Sequence, residues 1–188
     1  MRQFFLLITI LFITSAQTCS SQDAQPQMDS KEYQSCCGTQ PVEFTFSAKK
    51  VYMPNVFTPN RDGVNDYYAP NINDVITDVW GFTIYSAEGD TVIFQKPHFN
   101  TKMKLEEYGW NGLRPDGSQY KGLFKFKMRV DDKQANKHVV TGQACAIQCG
   151  PDAKIFQSKS GCFFPVQASK GVSGTLDKSV STLEKGCF

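Results

Sequence analysis

Gly122-Leu123-Phe124-Lys125-Phe126-Lys127-Met128-Arg129-Val130 is the longest strict alternation in the chain. In an extended backbone Phe124, Phe126, Met128 and Val130 point one way and Lys125, Lys127 and Arg129 the other. A strand dry on one face and wet on the other belongs to an antiparallel sheet packed on a second layer. Immediately upstream, residues 79–94 read as a hairpin. Trp80, Phe82 and Ile84 are expected on one face and Val79, Thr83 and Tyr85 on the other. Ala87-Glu88-Gly89-Asp90 turns the chain and Thr91-Val92-Ile93-Phe94 returns it. Further back, Val42-Glu43-Phe44-Thr45-Phe46 alternates with period two. Residues 51–57 are apolar but interrupted by Pro54, which predicts an edge strand or a bend. Residues 58–66 form a dense turn cluster, and 67–79 read mostly as loop. Downstream, Val139-Val140 adds a further strand. No helix of convincing length and no internal repeat is visible.

Composition agrees with this reading. Hydrophobic residues make up 40% of the chain, with 15 Phe and 7 Tyr, enough to build a core of β-favouring side chains. The N-terminus reads as a secretory signal: Arg2, then the apolar run of residues 4–13, then Thr14-Ser15-Ala16. About ten core residues are too few to span a bilayer permanently. The signal is expected over 1–16, or 1–18 if the chain is a lipoprotein. A flexible tether follows over 17–41, a β-sandwich over 42–141 and a cysteine-containing extension over 142–188. Loss of Arg2 with the signal takes the formal net charge from +2 to +1. A near-neutral balance argues against a nucleic-acid partner.

Export predicts an oxidising compartment, so the cysteines are read as disulfides. There are 7: Cys19, Cys36, Cys37, Cys145, Cys149, Cys162 and Cys187. An odd number leaves one over. Lipidation of Cys19 would account for it, whereas Ala16-Gln17-Thr18 suits cleavage after Ala16, and both readings stand. Zinc on Cys145 and Cys149 would need two further ligands, and His98 and His138 are not a spaced pair. Neighbours rarely bond each other, so Cys36 and Cys37 are expected to reach Cys145 and Cys149, leaving Cys162 to pair with Cys187.

Two blocks carry a family resemblance. Asn55-Val56-Phe57-Thr58-Pro59-Asn60-Arg61-Asp62-Gly63-Val64-Asn65-Asp66 resembles the opening N-x-F-T-P-N-G-D-G-x-N-D of the gliding-motility-associated C-terminal domain linked to type IX secretion, with Arg61 in place of the usual glycine. Ile84-Tyr85-Ser86-Ala87-Glu88-Gly89 is similar to that family's I-Y-N-R-W-G. Trp110-Asn111-Gly112 and Gly122-Leu123-Phe124 match its W-D-G and G-T-Y. The resemblance covers about residues 51–131. It implies an all-β, immunoglobulin-like sandwich of about seven strands, here with a disulfide-stapled C-terminal extension, and an origin in Bacteroidota. In that family the domain usually closes a large surface protein and serves as a sorting signal. Here a short tether precedes it, an extension follows it, and Glu88 stands in place of the family Trp.

Three candidate sites follow. Asn60, Asp62, Asn65 and Asp66 concentrate side-chain oxygens around Gly63, a set suited to a hard cation such as calcium. The same residues equally suit Asx turns that cap their own backbone. Trp110 suits a core plug better than a stacking platform. No Gly-x-Ser-x-Gly elbow, phosphate loop or dinucleotide fingerprint is present, and Asp62 and Asp66 are four apart in one turn rather than across a cleft. The chain therefore reads as a non-enzymatic, exported envelope or cell-surface protein. It needs no cofactor unless calcium binds. Its partners are other cell-envelope or outer-membrane proteins, and it meets the membrane only through a lipid anchor. A calcium- or glycan-binding surface module is the alternative.

Overall fold

The computed structural model describes residues 31–100, 102–132, 136–150, 153, 174 and 175. The strands are β1 (Val42–Phe46), β2 (Lys49–Met53), β3 (Val56–Phe57), β4 (Asn71–Ile72), β5 (Ile76–Ser86), β6 (Val92–Asn100), β7 (Gly122–Asp132) and β8 (Lys137–Ala146). Among the described residues there are also two four-residue helical turns, α1 (Lys31–Gln34) and α2 (Leu105–Tyr108). The protein is mostly β. One sheet has the order β1-β2-β4 and the other β3-β8-β7-β5-β6.

Strand β7 behaves as its alternation requires: Phe124, Phe126, Met128 and Val130 are buried. They meet Val51 and Met53 of β2 and Ile72 of β4 in one apolar cluster between the sheets. Each such side chain contributes roughly 1.5–3 kcal/mol by leaving water. Strand β5 obeys its alternation only in part. Phe82 and Ile84 face the core as expected, but so does Val79, while Trp80 is 38% exposed. The register shifts between Trp80 and Thr83, and Gly81 adopts φ 59°. A bulge there inserts one residue and reverses the facing of Trp80 and Val79, and a second shift between Ile76 and Asp78 brings Ile76 back to the core.

The sheets are joined by a switch. Strand β2 lies in the smaller sheet, yet β3, three residues on, pairs parallel with β8 in the larger. Pro54 stands at the crossing, where its missing N–H leaves no donor unpaired. Every other strand pair among the described residues is antiparallel.

Several boundaries move. The segment 67–79 contains β4 and the start of β5 rather than loop alone. Strand β6 runs on through Lys96 and Pro97 to Asn100, and β8 continues past 141 to Ala146. The last part of the expected tether is folded: Tyr33 and Cys36 are buried in a second cluster with Val56, Cys145, Ile147 and Ala153. The backbone N–H of Gln148 donates to the Tyr33 hydroxyl at 3.0 Å. Cys36 bonds Cys145, joining α1's end to the last strand. Cys37 and Cys149 are disulfide-bonded as well. The expected bond between those two is not among the disulfides of the described residues. The extension also touches the sandwich at Gly174, where an added Cβ would fall 2.3 Å from the Lys50 carbonyl oxygen. The signal 1–16, Cys19, Cys162 and Cys187 lie outside the described residues. Among the described residues, no helix is long and apolar enough to cross a membrane.

Candidate functional site

The first motif block takes one role per residue. Asn55 is buried; its carbonyl accepts from Cys145 N at 2.8 Å and its amide donates to the Thr39 carbonyl at 3.0 Å. Phe57 enters the core against Tyr68, Trp110 and Phe124, with ring centroids 5.5, 5.3 and 5.9 Å away. Buried Thr58 then closes the loop by donating its N–H to the Asn65 carbonyl at 3.0 Å. Within that loop the acidic side chains serve the backbone. Asp62 Oδ1 accepts from Val64 N at 2.9 Å and Asp62 Oδ2 from the Asn60 amide at 3.0 Å. Asp66 Oδ2 accepts from Gly63 N at 2.8 Å and Asp66 Oδ1 from Arg61 N. All four carboxylate oxygens are engaged, three of them in capping backbone N–H groups and Asp62 Oδ2 on the Asn60 amide. Arg61 and Asn65 sit at φ 66° and 50° and Gly63 at φ 90°. Arg61 thus adopts, as a non-glycine, the left-handed conformation, at a cost of roughly 1–2 kcal/mol.

The second block closes on the first. Trp110 is completely buried, and its indole N–H donates to the Leu113 carbonyl at 2.8 Å. Its backbone exchanges hydrogen bonds with Tyr68 at 2.8 and 3.0 Å. Burial of both rings and the indole bond make Trp110 a core residue. Gly112, at φ +80°, presses against Pro59: an added Cβ would lie 2.7 Å from Pro59 Cγ. Gln119 Nε2 donates to the Pro59 carbonyl at 2.9 Å and Tyr120 N to the Gly112 carbonyl at 2.8 Å. Between the two loops lies a groove of about 570 Å³ whose wall includes Arg61, Asp66, Tyr67, Asn111, Gln119 and Cys149. Asn60 donates from Nδ2 to Cys149 Sγ at 3.2 Å, which ties the loop to the disulfide-bonded tail. Among the described residues no group of three or more His, Cys, Asp or Glu side chains is gathered as a metal would need.

A second constellation lies on the outer face of the larger sheet. Trp80 pairs across the strands with His98 and Arg129. The His98 ring lies 4.1 Å from it and the Arg129 guanidinium 5.2 Å. Arg129 is held by Asp131 at 3.0 and 3.2 Å, and His98 by Asp78 at 2.8 Å. The hydrogen bond from His98 holds the Asp78 carboxyl below its usual range. With neighbours on both flanks, Trp80 offers an edge rather than a free stacking face, which disfavours sugar recognition by stacking. This row was hidden from the sequence by the Gly81 bulge. An isolated glycine within a strand pattern was its one signal.

The site thus consists of two turn loops fixed on a β scaffold, with polar side chains at the rim and aromatic rings beneath. No protein-family model matches the chain, and no curated protein is similar to it.

Proposed function

We propose that this chain is an exported, non-enzymatic envelope protein whose sandwich is immunoglobulin-like and whose end groove docks other cell-envelope proteins. The convergence of the two motif loops carries this reading. Pro59 on Gly112, Gln119 on Pro59 and Phe57 on Trp110 preset a rigid polar groove before any partner arrives. Preset geometry lowers the ordering cost of association. The immunoglobulin-like assignment is supported by the sheet switch at Pro54, the parallel β3–β8 pair and the β8-β7-β5-β6 order. The resemblance of both motif blocks to the gliding-motility-associated domain makes an accessory or cargo of type IX secretion the partner context. Cys19 is the lipid anchor in this reading.

Affinity capture from native outer membranes tests it. The wild-type chain is expected to recover an outer-membrane or type IX component that Arg61→Glu, which reverses the charge at the groove rim, recovers far less well. Recovery of no such component by the wild type refutes the docking reading.

A further inference from the structure

Strand β8 pairs with β7 without a break from Lys137 to Ala146. Cys145 N and Ile147 N turn the other way and donate to Asn55 and Phe57 of the β3 segment at 2.8 and 3.0 Å. Antiparallel pairing alternates, so the N–H and C=O of Val139, Thr141 and Gln143 also point away from β7. Strand β3 is two residues long and stops short of them. Among the described residues nothing bonds these groups. Among the described residues, 137–143 thus present about 24 Å of unpaired edge at 3.4 Å per residue.

The opposite edge of the same sheet is treated differently. Strand β6 carries Pro97, which has no N–H, and Lys96 beside it, and its register slips at Ile84/Tyr85 of β5. Those are the devices that blunt an edge. Over residues 138–143 β8 has no proline, no charge and no register shift.

The flanks define what would fit. On the inner side β1 runs beneath the edge. Val42 lies under Gly142, where an added Cβ would be 2.7 Å from Val42 Cγ2, and the Phe44 and Phe46 rings lie 5.5 and 5.0 Å from His138. Phe46 is 53% exposed, and His138 Nε2 is buried without a hydrogen-bond partner. On the outer side Val139 is 60% exposed, and Lys127 and Lys137 form no ion pair among the described residues. We propose that β8 is an acceptor edge for an extended segment of a partner protein, apolar at alternate residues toward Phe44 and Phe46 and acidic at the others toward Lys127 and Lys137. Backbone pairing gives affinity and the two flanks give specificity. A second copy fits less well, because two-fold pairing of the β8 edges would bring Lys127 and Lys137 of both copies onto one outer face, like charge beside like. The inference deepens the docking reading by naming a partner class, but it uses an edge distinct from the end groove.

The test uses the full chain and two synthetic peptides that span the edge, one alternating Ile with Asp and the other Ile with Lys. Calorimetry should show the acidic peptide binding about tenfold more tightly or better. Amide exchange at Val139, Thr141 and Gln143 should slow in that complex. Thr141→Pro removes one outward donor and leaves the β7 ladder intact, and it should weaken binding by about tenfold. If that variant does not fold, the exchange pattern of the wild type decides alone. Absence of peptide binding, or protection confined to the end groove, overturns the acceptor edge while envelope capture still judges the docking reading. A wild-type dimer in sedimentation with those three amides already protected overturns it in favour of self-pairing.

Discussion

Replacing Gly112 by Ala should be among the most damaging single-methyl changes in the molecule, and its size can be worked out. Gly112 holds φ +80°, where a residue with a Cβ costs roughly 1–2 kcal/mol. The new methyl would also lie 2.7 and 2.9 Å from Pro59 Cγ and Cβ. A proline ring cannot rotate aside, so the loop must shift, at roughly 1–3 kcal/mol. The total is about 2–5 kcal/mol. Gly117 supplies the control: its φ is +82°, and an added Cβ would meet nothing within 4 Å. Gly117→Ala should therefore cost the backbone contribution alone, about 1–2 kcal/mol. Urea unfolding of the two variants reads the difference as a shift in midpoint at constant slope. Adding Pro59→Ala to Gly112→Ala should restore part of the loss, a coupling that a double-mutant cycle isolates. Equal destabilisation by the two glycine variants, or strict additivity in the cycle, would refute the claim that Pro59 against Gly112 locks the loops.

Cys36→Ser with Cys145→Ser opens a loop with a sequence separation of 109 residues. It should cost about 4–5 kcal/mol in the chain-entropy account, measurable as a fall in melting temperature under non-reducing conditions. Burial raises the phenol pKa of Tyr68 and of Tyr52. Stability from such groups is complete below the unfolded value near 10 and is lost as pH rises above it, at about 1.4 kcal/mol per pH unit each. Unfolding followed by far-UV dichroism should therefore steepen above pH 10, and Tyr68→Phe should flatten that limb while losing the 3.0 Å bond to the Pro54 carbonyl. Millimolar calcium should leave the melting temperature unchanged, since the oxygens of Asp62 and Asp66 already accept from Gly63, Val64 and their neighbours. A rise of several degrees would return the cation to the loop.

What the sequence revealed follows a physical line. Alternation is legible where a strand is regular and half-buried, so Phe124 to Val130 was read correctly from its pattern. It fails where one residue is inserted, as at Gly81, because a bulge changes facing without changing composition. The far half of β8 lacks the bulky residues that mark a strand. Gly142 must stay small because a Cβ there would lie 2.7 Å from Phe126 Cζ, information that belongs to the partner strand. The alternation of the return strand is legible only to Phe94, whereas β6 runs on through Lys96 and Pro97, residues that an outer edge accommodates. In the motif block Asn55, Phe57 and Thr58 are buried structural residues, while Arg61 and Asp62 are exposed and Asp66 is half-buried. The pattern flagged the loop, but the roles separate only once the second loop folds over Pro59.

The clamp and the groove are parts of one device. Cys36 reaches Cys145, and Cys145 stands beside Val56 at the start of the first motif loop. Three residues beyond β8, disulfide-bonded Cys149 forms part of the groove wall and accepts from Asn60. The segment before β1, strand β8 and the first motif loop therefore meet at one end of the β scaffold. A load carried by the N-terminal segment would pass through the Cys36–Cys145 bond into the central sheet before it reached the β1–β2 hairpin, since Cys36 precedes Val42 in the chain. A non-covalent attachment would instead peel β1 from β2 one pair at a time, because hairpin rungs broken in sequence resist less than a covalent link.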